Sequence, residues 1–240
     1  MRVIAVKMSD FPKIQCPFVR KEFDVNVSDW EAHGSRLKLR NPKAYLVIDQ
    51  INEGYEWVFE DKDTFATEKL DGTNVKLNIS EGRLIGLQNR KNIIDLLQII
   101  AGKTFIIEGV HRAVQKGYVN KDGVQAGEVI GPKLQGNPYK IDNHIWYPFT
   151  KAIKDLTYRS FHEHDRDFEN WDSWFHKWLF SRFYQKTQKK GSENKVFAEG
   201  VVFYNLRRRE EGRVYMAKLR RDMFPWFYED EGVRIINFKK

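Results

Sequence analysis

The stretch Thr67-Glu68-Lys69-Leu70-Asp71-Gly72-Thr73-Asn74, followed by Val75-Lys76-Leu77-Asn78-Ile79, decides how this chain is read. The second run alternates apolar and polar residues, the period of a half-buried strand, and Glu81-Gly82 closes it as a hairpin-like turn. The first places a lysine at the end of a strand and before a tight Asp-Gly turn. Gly72 there lets the backbone approach a neighbour closely or adopt positive φ. Further strands are expected at Ala44–Ile48, Phe105–Ile107, Val201–Tyr204 and Val214–Ala217, the last two as a hairpin across the charged stretch 207–212. Helical pattern falls at Ile93–Ile100, ended by Gly102. It falls again within Phe168–Gln185, where Trp171, Trp174, Phe175, Trp178, Leu179 and Phe183 recur at three- and four-residue spacing as a packing face. Together these predict an α+β fold of mainly antiparallel sheets with flanking helices.

The 240 residues suffice for a sizeable core, and 41% hydrophobic with 31% charged residues excludes a disordered or fibrous chain. No apolar run approaches the roughly 20 residues of a membrane helix, and the start is too short in apolar residues for a signal peptide. Cys16 is the single cysteine, which rules out an internal disulfide. The expectation is a soluble, cytoplasmic protein, in the host cytoplasm if viral, with no membrane and no protein partner indicated. A net charge of +8, concentrated at Lys186–Lys195, Arg207–Arg209 and Arg213–Arg221, points to a polyanionic partner.

An isolated Lys-x-Asp-Gly reads as a surface turn. The ordered motifs downstream of it change that reading. Arg90 ends a second strand-like run; then come Gly127-Glu128-Val129-Ile130-Gly131-Pro132-Lys133-Leu134-Gln135, the aromatic run Trp146-Tyr147-Pro148-Phe149, Glu199-Gly200-Val201-Val202-Phe203, and Lys218-Leu219-Arg220. This series, spanning about two-thirds of the chain, resembles the collinear motifs of the covalent nucleotidyltransferases, the ATP-dependent RNA and DNA ligases and messenger-RNA capping enzymes. Within them it is most similar to phage-type RNA ligases and RNA-editing ligases, through the Gly127–Gln135 string and Asn74, five residues beyond Lys69. DNA ligases and capping enzymes continue into an OB-fold after the last motif. Only 20 residues follow Arg220 here, so no C-terminal OB-fold is expected.

The resemblance implies ATP-dependent joining of RNA 5′-phosphate and 3′-hydroxyl ends through a lysyl-adenylate and an adenylylated RNA. Lys69 is the implied nucleophile, assisted by the cations Lys218 and Arg220, where arginine replaces the family's usual lysine. A lysine nucleophile must first lose its proton, which burial or a nearby cation favours. For nucleotide binding the resemblance implies Glu68 (through its backbone, at the adenine edge), Asn74, Arg90, Glu128 (at the ribose), Phe149 and Val202 (about the adenine) and Glu199. Tyr147 competes with Phe149, because spacing does not fix the register of the aromatic run. Glu199 is also the implied metal ligand, for Mg²⁺ or alternatively Mn²⁺.

Residues 1–60 are expected as a segment packed on or extending an adenylyltransferase domain at 61–240, with a helical insertion at about 150–195 whose basic end follows a phosphate backbone. His162, His164 and His176 fit no zinc spacing and read as helix histidines. The competing functions are a minimal ATP-dependent DNA ligase, a GTP-using capping enzyme and a non-catalytic RNA-binding protein with this fold.

Overall fold

In a computed structural model, which describes residues 8–96, 102–119, 121–162, 167–188, 195–208 and 215–238, the run around Val75 becomes the middle of a sheet. Along the chain lie β1 (Phe18–Asp24), α1 (Val27–His33), β2 (Lys43–Ile51), α2 (Trp57–Glu60), β3 (Phe65–Lys69), β4 (Thr73–Ser80), β5 (Arg83–Asn89) and β6 (Asn92–Ile93). Then come α3 (Thr104–Gln115), β7 (Gly123–Ile130), β8 (Ile145–Pro148), α4 (Phe149–Asp155), α5 (Phe168–Lys177), α6 (Arg182–Thr187), β9 (Gly200–Tyr204), β10 (Met216–Arg220) and α7 (Pro225–Glu229). The named strands pair antiparallel throughout, and among the described residues no sheet closes into a barrel. The α+β expectation is met.

The chain forms two compact units. The first takes the described residues of Met1–Lys13, Leu70–Thr157 and Ser181–Val196. Its sheet has the order β6-β5-β4-β7-β8. Because side chains alternate, Val75, Leu77 and Ile79 face the same way as Val129 and Trp146, and α3 covers them with Ile106, Val110 and Ala113. Trp146 satisfies its indole by donating to Val75 O at 3.1 Å. At the β8 end a second cluster joins Ile130, Ile145 and Tyr147 to α4 and to Phe183 and Tyr184 of α6. The Glu81-Gly82 turn has φ of 52° and 70°, and Asp122 accepts both of its amide protons, at 2.7 and 3.0 Å.

The second unit takes the described residues of Ile14–Lys69, Tyr158–Phe180 and Phe197–Lys240. It contains the sheet β10-β9-β3 and the ribbon β1-β2. Its core is aromatic: Trp171 stacks on Phe203 (centroids 5.0 Å apart, 15°) and on Phe59 (4.8 Å, 26°), with Phe18 edge-on at 5.8 Å. Cys16 belongs to this core, and burial pushes its thiol pKa up to about 11, an unreactive setting.

Three local expectations need correction. Phe105–Ile107 is not a strand but lies inside α3: Ile106, Val110 and Ala113 follow helical spacing, and that period outweighs the β-preference of three adjacent apolar residues. The expected helix at Ile93–Ile100 begins as β6 instead, Ile93 pairing with Gln88; residues 97–100 lie outside the described set. The stripe in Phe168–Gln185 is two helices. Asp167 caps α5, accepting from Asn170 N at 2.8 Å, and Ser181 caps α6, accepting from Tyr184 N at 3.0 Å. Between them Phe180 bridges to Phe197, an extended pairing that a continuous helix excludes. The hairpin of β9 and β10 forms as expected, while Val214 and residues 209–212 of its connection lie outside the described residues.

Candidate active site

Three strands bring the second unit's motif residues into register. Lys69, Gly200 and Arg220 are direct partners across β3, β9 and β10, and Thr67, Val202 and Lys218 form the next row on the same face. Glu68, Val201 and Leu219 alternate to the opposite face, where Val201 and Leu219 enter the core and Glu68 is 3% exposed. The Glu68 carboxylate therefore points away from Lys69. Its backbone is placed differently: Ala66 O accepts from Tyr158 N at 2.9 Å on the edge of β3 away from β9, and Glu68, two residues on, turns its amide groups to that same edge.

Glu199 stands one residue before β9, with its carbonyl accepting from Arg221 N at 3.0 Å. One carboxylate oxygen receives a bond from Lys69 Nζ at 2.5 Å, and the other lies 3.7 Å from Arg220 Nη1. Arg220 Nε lies 3.0 Å from Asp222 Oδ1, at ion-pair distance but without hydrogen-bond geometry. Burial lowers the pKa of Lys218, with the positive charges of Arg220 and Lys69 pushing the same way and Glu199 opposing them. Burial raises that of Asp222, against the pull of Arg220. A carboxylate surrounded by three mutually repelling cations is a receptor for further negative charge, such as phosphate oxygens. Glu199 offers a single carboxylate, and among the described residues no three His, Cys, Asp or Glu side chains gather around a common point. That donor set fits Mg²⁺, which takes one or two carboxylates and completes its shell with phosphate and water, rather than a closed protein cage.

In the first unit Asn74 and Glu128 are partners across β4 and β7, and Asn74 Nδ2 donates to Glu128 Oε2. Glu128 is 5% exposed. Arg90 follows β5 with φ of 53°, its amide bonded to Asn74 O at 3.3 Å and its carbonyl accepting from Gln88 Nε2 at 2.6 Å, while its side chain is exposed. The two candidate rings have different surroundings. Tyr147 is 5% exposed, with its hydroxyl 2.9 Å from Asp155 Oδ2 and its ring edge-on to Phe183 and Tyr118. Phe149, partly exposed, opens α4 and meets Phe11 edge-on at 6.2 Å. Leu70-Asp71-Gly72 is held by Tyr139, whose hydroxyl accepts from Asp71 N at 2.7 Å, and a Cβ on Gly72 would meet Val129 O at 2.1 Å.

Sequence reasoning missed Lys76, Phe11 and Asp222. Lys76 is 8% exposed on the face that carries Asn74, where its Nζ donates to Ser9 O at 2.7 Å and lies 4.7 Å from the Phe11 ring centroid. It holds Met8–Phe11 along the sheet, with Met8 N donating to Gln88 Oε1 at 3.0 Å. The only available signal for Lys76 was its place in the alternation two residues after Asn74; nothing marked Phe11. His176 stacks on Trp226 (4.5 Å, 11°) and lies 3.0 Å from Asp230. His164 and the side chain of His162 lie outside the described residues, as do Arg209, Arg213 and Lys189–Asn194.

A family model described as RNA ligase matches residues 62–220, from ahead of Lys69 through Arg220. The chain belongs to the RNA ligase family. No curated protein matches it. Among solved structures it is similar to a Naegleria gruberi RNA ligase with PPi, at 16% identity and a TM-score of 0.44, over 73% of this chain and 54% of that one. It is likewise similar to a mutant of that ligase with ATP and Mn (15%, TM-score 0.41, 70% of this chain and 51% of that one) and to an apo mutant (13%, 0.42, 92% and 64%). This member of the RNA ligase family thus spans about half the length of the first of these chains. The family assignment rests on the match over residues 62–220. Among the described residues no helix is long and apolar enough to cross a membrane.

Proposed function

We propose that this protein is an ATP-dependent RNA ligase acting through Lys69. The observation that carries the reading is the Lys69 amine bonded to Glu199 on the strand face that also bears Lys218 and Arg220, inside a family-matched segment. In the first step the deprotonated Nζ of Lys69 attacks the α-phosphorus of ATP. An N–P bond forms, the bond from that phosphorus to the β-phosphate oxygen breaks, and pyrophosphate leaves with the electron pair. The AMP then passes to an RNA 5′-phosphate, freeing Lys69, and a 3′-hydroxyl displaces AMP to seal the strand.

Each side chain has a stated part in this scheme. Glu199 aims the lysine amine, and Lys218 and Arg220 hold phosphate oxygens whose charge is spread in the transition state. Mg²⁺, held by Glu199 together with nucleotide phosphates and water, would withdraw charge from the phosphate under attack. Asn74 keeps Glu128 oriented to accept from the ribose hydroxyls, and Arg90 meets the sugar or an RNA phosphate. Adenine lies against Phe149 and Val202, with the Glu68 backbone at its edge. The choice of Phe149 is favoured by its partial exposure, whereas Tyr147 is engaged with Asp155 and Phe183. Glu68 contributes backbone only, consistent with its inward carboxylate.

The test is end-joining of RNA bearing 5′-phosphate and 3′-hydroxyl ends, with ATP and Mg²⁺. Joining that needs ATP and is absent from Lys69→Ala is expected. Joining of DNA but not RNA ends would make the protein a minimal DNA ligase, use of GTP in place of ATP would point to capping chemistry, and RNA binding without any joining would leave a non-catalytic RNA-binding protein.

A further inference from the structure

Beyond the edge strand β8, the first unit carries a groove of about 500 Å³ walled by α3, α4 and α6, a size suited to a nucleotide rather than a lone side chain. Three elements aim cations at it. Arg112 and Lys116 lie one turn apart at the end of α3, Lys151 comes from α4 and Lys186 from α6. Against these four charges the walls carry two carboxylates, Asp142 and Asp155, so the groove is net positive.

The arrangement is built rather than a chance gathering of surface lysines. Asp155 sits on the floor, accepting from Lys151 Nζ at 2.7 Å and from the Tyr147 hydroxyl at 2.9 Å, with Lys186 Nζ at 3.9 Å. Burial raises the pKa of Asp155, but these bonds and charges outweigh it and hold the carboxyl below its ordinary value, so it stays ionised and fixes the lysines. Lys151 also lies 4.7 Å from the ring centroid of the half-buried Tyr118. Arg112 Nη2 donates to Asn143 Oδ1 at 2.8 Å, which leaves Nε without a hydrogen-bond partner among the described residues. Cations on three walls together with an aromatic ring match a chain of phosphates with planar bases better than a run of carboxylates on flexible stems.

We propose that this groove binds a single-stranded stretch of the RNA substrate, with Arg112, Lys116 and Lys186 on its phosphates and Tyr118 against a base. The choice of RNA as the strand rests on the ligase reading above. The groove makes strand affinity depend on residues outside the nucleotide-binding motifs.

Fluorescence anisotropy with a labelled single-stranded RNA, read without ATP, tests it. Lys116 and Lys186 are exposed, so the double variant Lys116→Ala/Lys186→Ala keeps its melting temperature. It is expected to bind about tenfold more weakly, and the slope of log K against log salt falls by about 1.4, two contacts at about 0.7 each. The double variant Lys21→Ala/Lys62→Ala removes the same charge from exposed positions of the second unit and stays within about twofold of wild type. Equal weakening in both doubles, or none in the groove double, overturns the proposal. So does displacement of the strand by oligoglutamate as effective as by unlabelled RNA of equal charge, which would mark a site for acidic peptides. The readout needs no covalent chemistry. Failure of Lys69 to take label would therefore leave this result standing, and failure here would leave the covalent step untouched.

Discussion

Lys69 and Glu199 are far apart in sequence yet share one hydrogen bond, because each ends or precedes a strand of the same small sheet. In the proposed reaction that pairing positions the amine, so Glu199→Gln should lower transfer of AMP to the protein by about 100-fold, read as the rate of labelling with α-labelled ATP. Lys218 carries a different signature. Burial together with Arg220 and Lys69 depresses its pKa, so its protonated form opposes folding below that lowered pKa, and the opposition fades as the pH rises toward the ordinary lysine value of 10.5. Lys218→Met should therefore melt higher than wild type near neutral pH, with the gap narrowing on the alkaline side in a melting series, while labelling is lost. Gly72 is constrained by backbone rather than chemistry. Gly72→Ala drives a Cβ into Val129 O and should destabilise the protein by about 2–3 kcal/mol in denaturant unfolding. At this scale the sequence exposed the motif residues, since their order carries the signal. It concealed Asp222, whose placement beside Arg220 is a tertiary outcome, and the inward turn of the Glu68 side chain, which is set by strand phase.

Elements were legible where one period dominates. The alternation of Val75–Ile79 and the hairpin of β9 with β10 appear as read. α3 was hidden because Phe105-Ile106-Ile107 is apolar at every position, and only the longer window through Val110 and Ala113 separates 3.6 from 2. The stripe in 168–185 kept its apolar spacing through a break, since Leu179 is fully buried from the connection between the two helices as it would be from a helix. Trp171 shows what that stripe does: it is 2% exposed, stacked between Phe203 and Phe59. It is a core residue and not a base-stacking platform. Trp171→Ala should cost about 3–5 kcal/mol in equilibrium unfolding; a loss of less than about 1 kcal/mol would show that the ring is not packed as described.

For the whole molecule, a charge of +8 favours association with a polyanion but names none, and the proposal of RNA as that polyanion rests on the family match. The division into two units was not visible in composition. The chain passes between them at residues 13/14, 69/70, 157/158, 180/181 and 196/197, with no Pro/Gly/Ser linker that divides the sequence there. The central claim is that Lys69 becomes a lysyl-adenylate. Its most direct test is incubation of the protein, pretreated with pyrophosphate to discharge any bound AMP, with α-labelled ATP and Mg²⁺, then denaturing electrophoresis and mapping of the labelled peptide. Label on the peptide containing Lys69, absent in Lys69→Ala, is the predicted result; label elsewhere, or none after pretreatment, would contradict the mechanism.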